Sequence, residues 1–150
     1  MKRALFFFVI FLSSQALAQS SPWLEWVAAN SPYGFDITPD GTIWINVDEV
    51  GQEDDFAVHA EQLLNARTES ERQPEFWVRG YHKKNRDVDY RETKTRYRLD
   101  CAKERIQVLL WVAYDSEGRM IERQGGGAMS YVIPGTYGAE YHRLFCIMQD

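Results

Sequence analysis

The chain has 150 residues, a formal net charge of −5, 14% aromatic residues and two cysteines. That length suits one domain with a real core, and not two. An acidic chain with no nucleic-acid-binding module argues against nucleic acid as a partner.

Residues 1–18 read as a secretory signal peptide. Lys2 and Arg3 give a basic start, Leu5–Leu12 is an unbroken apolar run, and Ala16-Leu17-Ala18 supplies a small-x-small cleavage pattern. The apolar run falls well short of the roughly 20 residues a membrane-spanning helix needs. No cysteine follows it, so a lipid-modified N-terminus is not expected, and no later run is long enough to span a bilayer. The expectation is a single exported domain over residues 19–150, periplasmic or secreted, without lipid anchor or stable membrane insertion. Removing Lys2 and Arg3 takes its charge to −7.

Gln19–Asn30, with Trp23 and Trp26, reads as irregular or as a first strand, bracketed by two Ser-Pro breaks. Phe35–Thr38 reads as a short strand, Pro39-Asp40-Gly41 as a turn, and Thr42–Val47 as the strand that completes a hairpin. The acidic stretch that follows places Phe56, Leu63 and Leu64 near helical spacing, with Ala60 and Ala66 as helix formers. This predicts a helix over Asp54–Arg67, ended by the polar run Thr68–Gln73. Glu75–His82 is a strand and His82–Tyr90 a charged loop.

Arg91–Asp115 carries the strongest pattern. Thr93, Thr95, Tyr97, Leu99 and Cys101 alternate with charged residues, and Ile106, Val108, Leu110, Val112 and Tyr114 alternate after a polar break at Asp100–Glu104. Two such period-2 runs predict a long β-hairpin. Arg119–Arg123 adds a strand, Gly125–Gly127 a mobile loop, and Met129–Ile133 an extended segment. Thr136 is placed to cap a helix from Tyr137 to about Met148, with Tyr137, Tyr141, Leu144, Phe145 and Met148 as its apolar stripe. The fold class that follows is α+β: an antiparallel meander with the C-terminal helix packed on one face and an inserted helix near 54–67.

In an oxidising compartment the isolated pair Cys101 and Cys146 is expected to form a disulfide. Closing a loop of about 46 residues contributes about 4 kcal/mol in the chain-entropy model. A redox role needs CxxC or a nearby activating group, and the sequence has neither.

No catalytic or cofactor motif stands out. Asp36-x-Thr38-x-Asp40-Gly41 begins like a calcium loop, but Val47 stands where the bidentate Glu is required. His59, His82 and His142 lack metal-ligand spacing, and His59 and His142 read as solvated surface residues. Asp54, Asp55 and His59 on one helix face are a weak metal signal. Ser130 is not in a GxSxG elbow, and Gly125–Gly127 is not followed by Lys-Ser/Thr. No cofactor and no metal is implied.

Charge is more informative. Arg79–Arg98 carries a net +5, against −12 for the rest of residues 19–150. Lys94, Arg96 and Arg98 share one strand face by alternation, beside the basic loop Lys83, Lys84 and Arg86. This reads as a stripe for an anionic partner, a protein or a glycan. The plain alternative is a solvated sheet face with cross-strand pairs to Glu122 or Glu104.

TIWINVDEV (42–50), FWVRGYH (76–82), TKTRYRLDC (93–101), YDSEG (114–118) and VIPGTYGAEYHRLFC (132–146) occur in that order. On these pieces the chain resembles the surface-adhesin protein E-like family of small bacterial exported proteins. The resemblance implies an antiparallel sheet, a C-terminal helix, a Cys–Cys link and a non-enzymatic protein. Its founding member is a lipid-anchored adhesin for host extracellular-matrix proteins. This chain departs by lacking the lipidation cysteine and by an extra segment, Glu53–Pro74. The expected function is an adhesin-like binder that presents a sheet face or loops to a macromolecule. The alternatives are a periplasmic enzyme or inhibitor using the Gly125–Gly127 loop, and an envelope accessory docking through Asp54–Arg67.

Overall fold

Alternating apolar and polar residues, punctuated by Gly and Asp turns, give a meander in which nearly every strand pairs with its neighbour in sequence. The computed structural model describes residues 33–48, 53–68 and 72–147. The expectations for the signal peptide, for Trp23 and Trp26, and for Met148 lie outside the described residues. The strands are β1 (Phe35–Ile37), β2 (Ile43–Asn46), β3 (Asp55–His59), β4 (Glu75–Tyr81), β5 (Glu92–Asp100), β6 (Arg105–Tyr114), β7 (Met120–Gly125) and β8 (Ser130–Tyr131). Helix α1 (Ala60–Thr68) follows β3, and α2 (Tyr137–His142) runs into a π-helical turn, Arg143–Ile147. The sheet order is β1 to β7 in sequence, all antiparallel, with β8 pairing the start of β6 on the edge that β7 uses further along.

The inner face carries Ile45, Val58, Phe76, Val78 and Leu99, and α1 and the C-terminal helix close over it with Leu63, Ala66, Tyr141, Leu144 and Phe145. Burying each large apolar side chain contributes about 1.5–3 kcal/mol. Phe76 and Phe145 are fully buried and stacked, ring centroids 3.9 Å apart. The Cys101–Cys146 disulfide, Cα atoms 5.5 Å apart, fastens the π-helical turn to the β5–β6 turn. The wider i→i+5 winding there lets Phe145 point into the core while Cys146 beside it reaches the hairpin.

Three sequence expectations change. The predicted helix over 54–67 is half strand: Asp55–His59 is β3, in the middle of the sheet between β2 and β4, and the helix starts at Ala60. Phe56 and Val58 face inward and Ala57 and His59 outward, a period-2 pattern too short to stand out beside the Ala-rich run. The segment is therefore integral to the sheet, and α1 spends Leu63 and Ala66 on the core instead of presenting them to an envelope partner. Second, β5 and β6 change register between Arg96 and Tyr97, where Arg96 faces Leu110 but Tyr97 faces Val108. Leu109 is the extra residue of a bulge. Ile106 and Val108 point inward, but the alternation read from the sequence does not continue on that face: Leu110, Val112 and Tyr114 point outward, and Trp111 and Ala113 take the inner positions. Third, Thr136 stands at the α2 N-cap position, but its hydroxyl donates to Ile133 O at 2.7 Å and caps nothing in the helix.

The C-terminal helix is too short to persist alone, so it depends on its packing and on the disulfide. A Cys101→Ala/Cys146→Ala variant should lose about 2–5 kcal/mol in urea unfolding. A loss under about 1 kcal/mol would show that the bond does not hold the helix in place.

Candidate binding face

The face opposite the helices is organised by strand register. Trp77 pairs Arg96 and Arg96 pairs Leu110; Arg79 pairs Lys94, Lys94 pairs Val112 and Val112 pairs Arg123; Glu75 pairs Arg98. Directly opposed residues share a face, so Lys94, Arg96 and Arg98 all point outward, framed by Trp77, Tyr81 and Tyr114. Arg123 joins them; the sequence did not disclose it because the β6–β7 register was unknown.

The charges are partly answered. Arg96 Nη2 donates to Glu75 Oε2 at 2.6 Å, and Arg98 Nε donates to Glu75 Oε1 at 2.9 Å, with a second, shorter bond from its Nη2. The hydrogen bond from Arg98 holds the Glu75 carboxyl below the usual carboxylate range, with the Arg96 charge adding to it. Two guanidinium groups thus share one carboxylate. Lys94 lies 3.6 Å from Glu92 and 5.5 Å from the centroid of Tyr114. Lys83 sits over Tyr81 at 4.9 Å, at the same end of the face, while Lys84 and Arg86 are exposed in the β4–β5 loop and outside the strand register. The cross-strand partner of the stripe is Glu75, not Glu104 or Glu122.

Arg79 is different in kind. It is 3% exposed, lies over the rings of Trp44 (5.2 Å) and Tyr81 (4.3 Å), and donates to Asp36 on β1 at 2.7 Å. Three strand spacings of about 4.8 Å separate β1 from β4. An arginine bridges that gap only because the sheet curls over its outer face at this end. Trp44 and Ala57, on the same face, are buried as well.

A second cluster lies behind β4. His82 Nδ1 is 2.6 Å from Asp54 Oδ1, its Nε2 is 2.9 Å from Thr93 Oγ1, and Asn85 Nδ2 donates to both Asp54 oxygens. Carboxylate, imidazole and hydroxyl stand in the order of a nucleophilic relay. Thr93, however, is 4% exposed, and a Cβ on Gly80 would lie 2.6 Å from its Oγ1. The hydroxyl has no room for a substrate carbonyl. The rings of Phe56 and Tyr90 close on His82 at 5.8 and 4.9 Å. The cluster pins the β4–β5 loop to the sheet.

The family model for surface-adhesin protein E matches residues 26–147. The chain belongs to the surface-adhesin protein E family. No curated protein and no solved structure matches it. The family supports an exported, adhesin-like surface protein.

In this adhesin-family fold His59 and His142 are not the solvated surface groups expected. His142 is 7% exposed, and His59 packs edge-on against Trp44 with a buried Nδ1 that has no hydrogen-bond partner among the described residues. His82 has the richest set of partners, a role that needs the pairing of β3, β4 and β5 before it can be seen. Among the described residues no group of three His, Cys, Asp or Glu is placed to hold a metal. No described helix is long and apolar enough to cross a membrane.

Two outcomes test this arrangement. Gly80→Ala must displace Thr93, His82 or Phe56, so thermal or urea unfolding should show a loss of about 1–3 kcal/mol; a neutral variant would mean the cluster is loosely packed. Burial lowers the His59 pKa from 6.5, opposed by the charges of Glu61 and Asp40. The unfolded chain therefore binds the proton more readily, and this contribution to stability is lost as pH falls through and below 6.5. His59→Asn should flatten the fall in urea midpoint between neutral and mildly acidic pH; an unchanged slope would assign the pH dependence elsewhere.

Proposed function

We propose that this protein is a non-enzymatic, exported binder that presents the outer face of β4–β6 to an anionic macromolecule, an acidic protein or a glycan. After removal of residues 1–18 it acts in the periplasm or outside the cell without a lipid anchor. Membership of the adhesin family supports the general class. The single observation that carries the specific reading is the stoichiometry of the stripe: Arg96 and Arg98 share Glu75, so one cation is in excess. Exposed pairs of this kind are weak, about 0–1 kcal/mol each, and an incoming carboxylate or sulfate exchanges for Glu75 at little cost. Trp77, Tyr81 and Tyr114 frame the site with apolar area, and planar guanidinium groups suit bidentate recognition of such anions.

Glu75 thus acts as an internal competitor, and two variants should move in opposite directions. On immobilised heparin and immobilised polyglutamate, Lys94→Glu/Arg96→Glu/Arg98→Glu should abolish retention. Glu75→Gln should raise the salt needed for elution from at least one of them. Retention of the triple variant equal to that of the parent would end the basic-stripe reading.

A further inference from the structure

Among the described residues, the inner face of the sheet is not closed along its whole width. The helical layer covers β2–β5, while every residue of β7 is exposed and β6 is only half-buried over most of its length. A groove of about 380 Å³ opens there, on the side opposite the basic stripe. Its floor is Thr95, Tyr97, Val108 and Trp111, with Thr95 buried and its side chain bonded to Tyr97, and its rim carries Gln124. The register explains the grouping: Thr95 pairs Trp111, Trp111 pairs Gln124, and Tyr97 pairs Val108, so all five share the inner face.

One end is walled by Gly125–Gly127, which packs against β6. A Cβ on Gly126 would lie 2.7 Å from Val108 O and 3.0 Å from Leu109 O, so the loop lies flat against the backbone of β6. Gly127 N donates to Val108 O at 3.0 Å, and Gln107 Nε2 donates to Gly127 O at 2.9 Å. The floor is equally fixed. Trp111 meets Tyr90 edge-on at 5.6 Å, and Tyr97 packs on Phe76 and Tyr141.

The lining selects a ligand class. It holds two aromatic rings, an aliphatic side chain, a hydroxyl and a carboxamide, with no cation or carboxylate in the groove itself. Glu122, which accepts from Gln124 Nε2 at 2.7 Å, stands next along the same face and disfavours an anion. That bond leaves Gln124 Oε1 turned to accept. A lipid chain needs enclosing apolar walls; this groove is open and its rim polar. A fixed aromatic floor under neutral acceptors matches a ligand with one C–H face and a perimeter of hydroxyl groups. The volume lies within the ~300–1,000 Å³ of ordinary small-ligand sites.

We propose that the groove between β5, β6 and the Gly125–Gly127 loop binds a short neutral saccharide, one sugar ring stacking on Trp111 and its hydroxyl groups bonding to Gln124. This site is separate from the basic stripe and does not depend on it.

The test is an NMR titration of the whole chain with chitotriose and with maltotriose. At least one should shift the Trp111 indole N–H and the amides of Gly125–Gly127. Trp111→Ala and Gln124→Ala should each weaken binding about tenfold, the scale of one lost stacking contact or hydrogen bond. Trp111→Phe should retain it within a few-fold. Gln124 lies on an exposed edge strand, so its variant keeps the fold even where Trp111→Ala does not. The triple charge reversal of Lys94, Arg96 and Arg98 should leave the titration unchanged. No shift with either trisaccharide up to tens of millimolar, shifts confined to the outer face, or binding indifferent to Gln124→Ala would overturn the proposal.

Discussion

The stack of Phe76 on Phe145 is the contact on which the rest of the molecule depends. A one-layer sheet must cover its apolar face or lose it to aggregation. The cover available at the C-terminus is six residues of α-helix and one π-helical turn, too little to form alone. It persists because Phe145 and Tyr141 enter the hollow around Phe76 and because Cys146, next in the chain, is bonded to the turn that ends β5. Packing fixes the orientation of the segment, and the disulfide limits how far it strays in the unfolded ensemble. Among the described residues the cover stops at β5, so that one half of the inner face is sealed as a core and the other half carries a groove.

The bulge at Leu109 gives that second half its character. Without it, Leu110, Val112 and Tyr114 would continue inward, and Trp111 would face the solvent among the cations. One extra residue exchanges the two sets. Trp111 in the floor of the groove and Leu110, Val112 and Tyr114 on the basic face take their places from the same event in β6. The glycine loop then exploits the local irregularity: only a residue without a side chain approaches the carbonyl oxygens of Val108 and Leu109 so closely.

Much of this was legible in the residues. The two hairpins, the inward run from Thr93 to Cys101, the disulfide and the shared face of Lys94, Arg96 and Arg98 all follow from period-2 alternation and compartment. What could not be read depends on pairing. Asp55–His59 offers only two inward residues before an Ala-rich helix, so local propensity pointed the wrong way; β2 and β4 on either side decide for strand. Trp111 and Ala113 are apolar on the parity opposite to Ile106 and Val108, which was the visible trace of the bulge, but it does not say where the register breaks. Glu75 lies some twenty residues from Arg96 and Arg98, and its claim on both appears only once β4 lies against β5. The burial of His82 has the same origin.

Arg79 shows how far the outer face departs from a solvated surface. A buried cation is costly unless its charge is answered, and here the answer comes from Asp36 on a three-residue edge strand whose side chain is half exposed. Lysine would supply the charge but not the flat group that lies over Trp44 and Tyr81 while bonding at its end. The same contact ties β1 to β4 in addition to its pairing with β2, while Phe35 and Ile37 on the other face of β1 are exposed. A short edge strand tied by a charged clamp is a poor template for further strand pairing. Arg79, one of the cations of the basic segment, is thus committed to shape. Lys94, Arg96 and Arg98, by contrast, are answered by the half-buried carboxylates of Glu92 and Glu75 at the sheet surface.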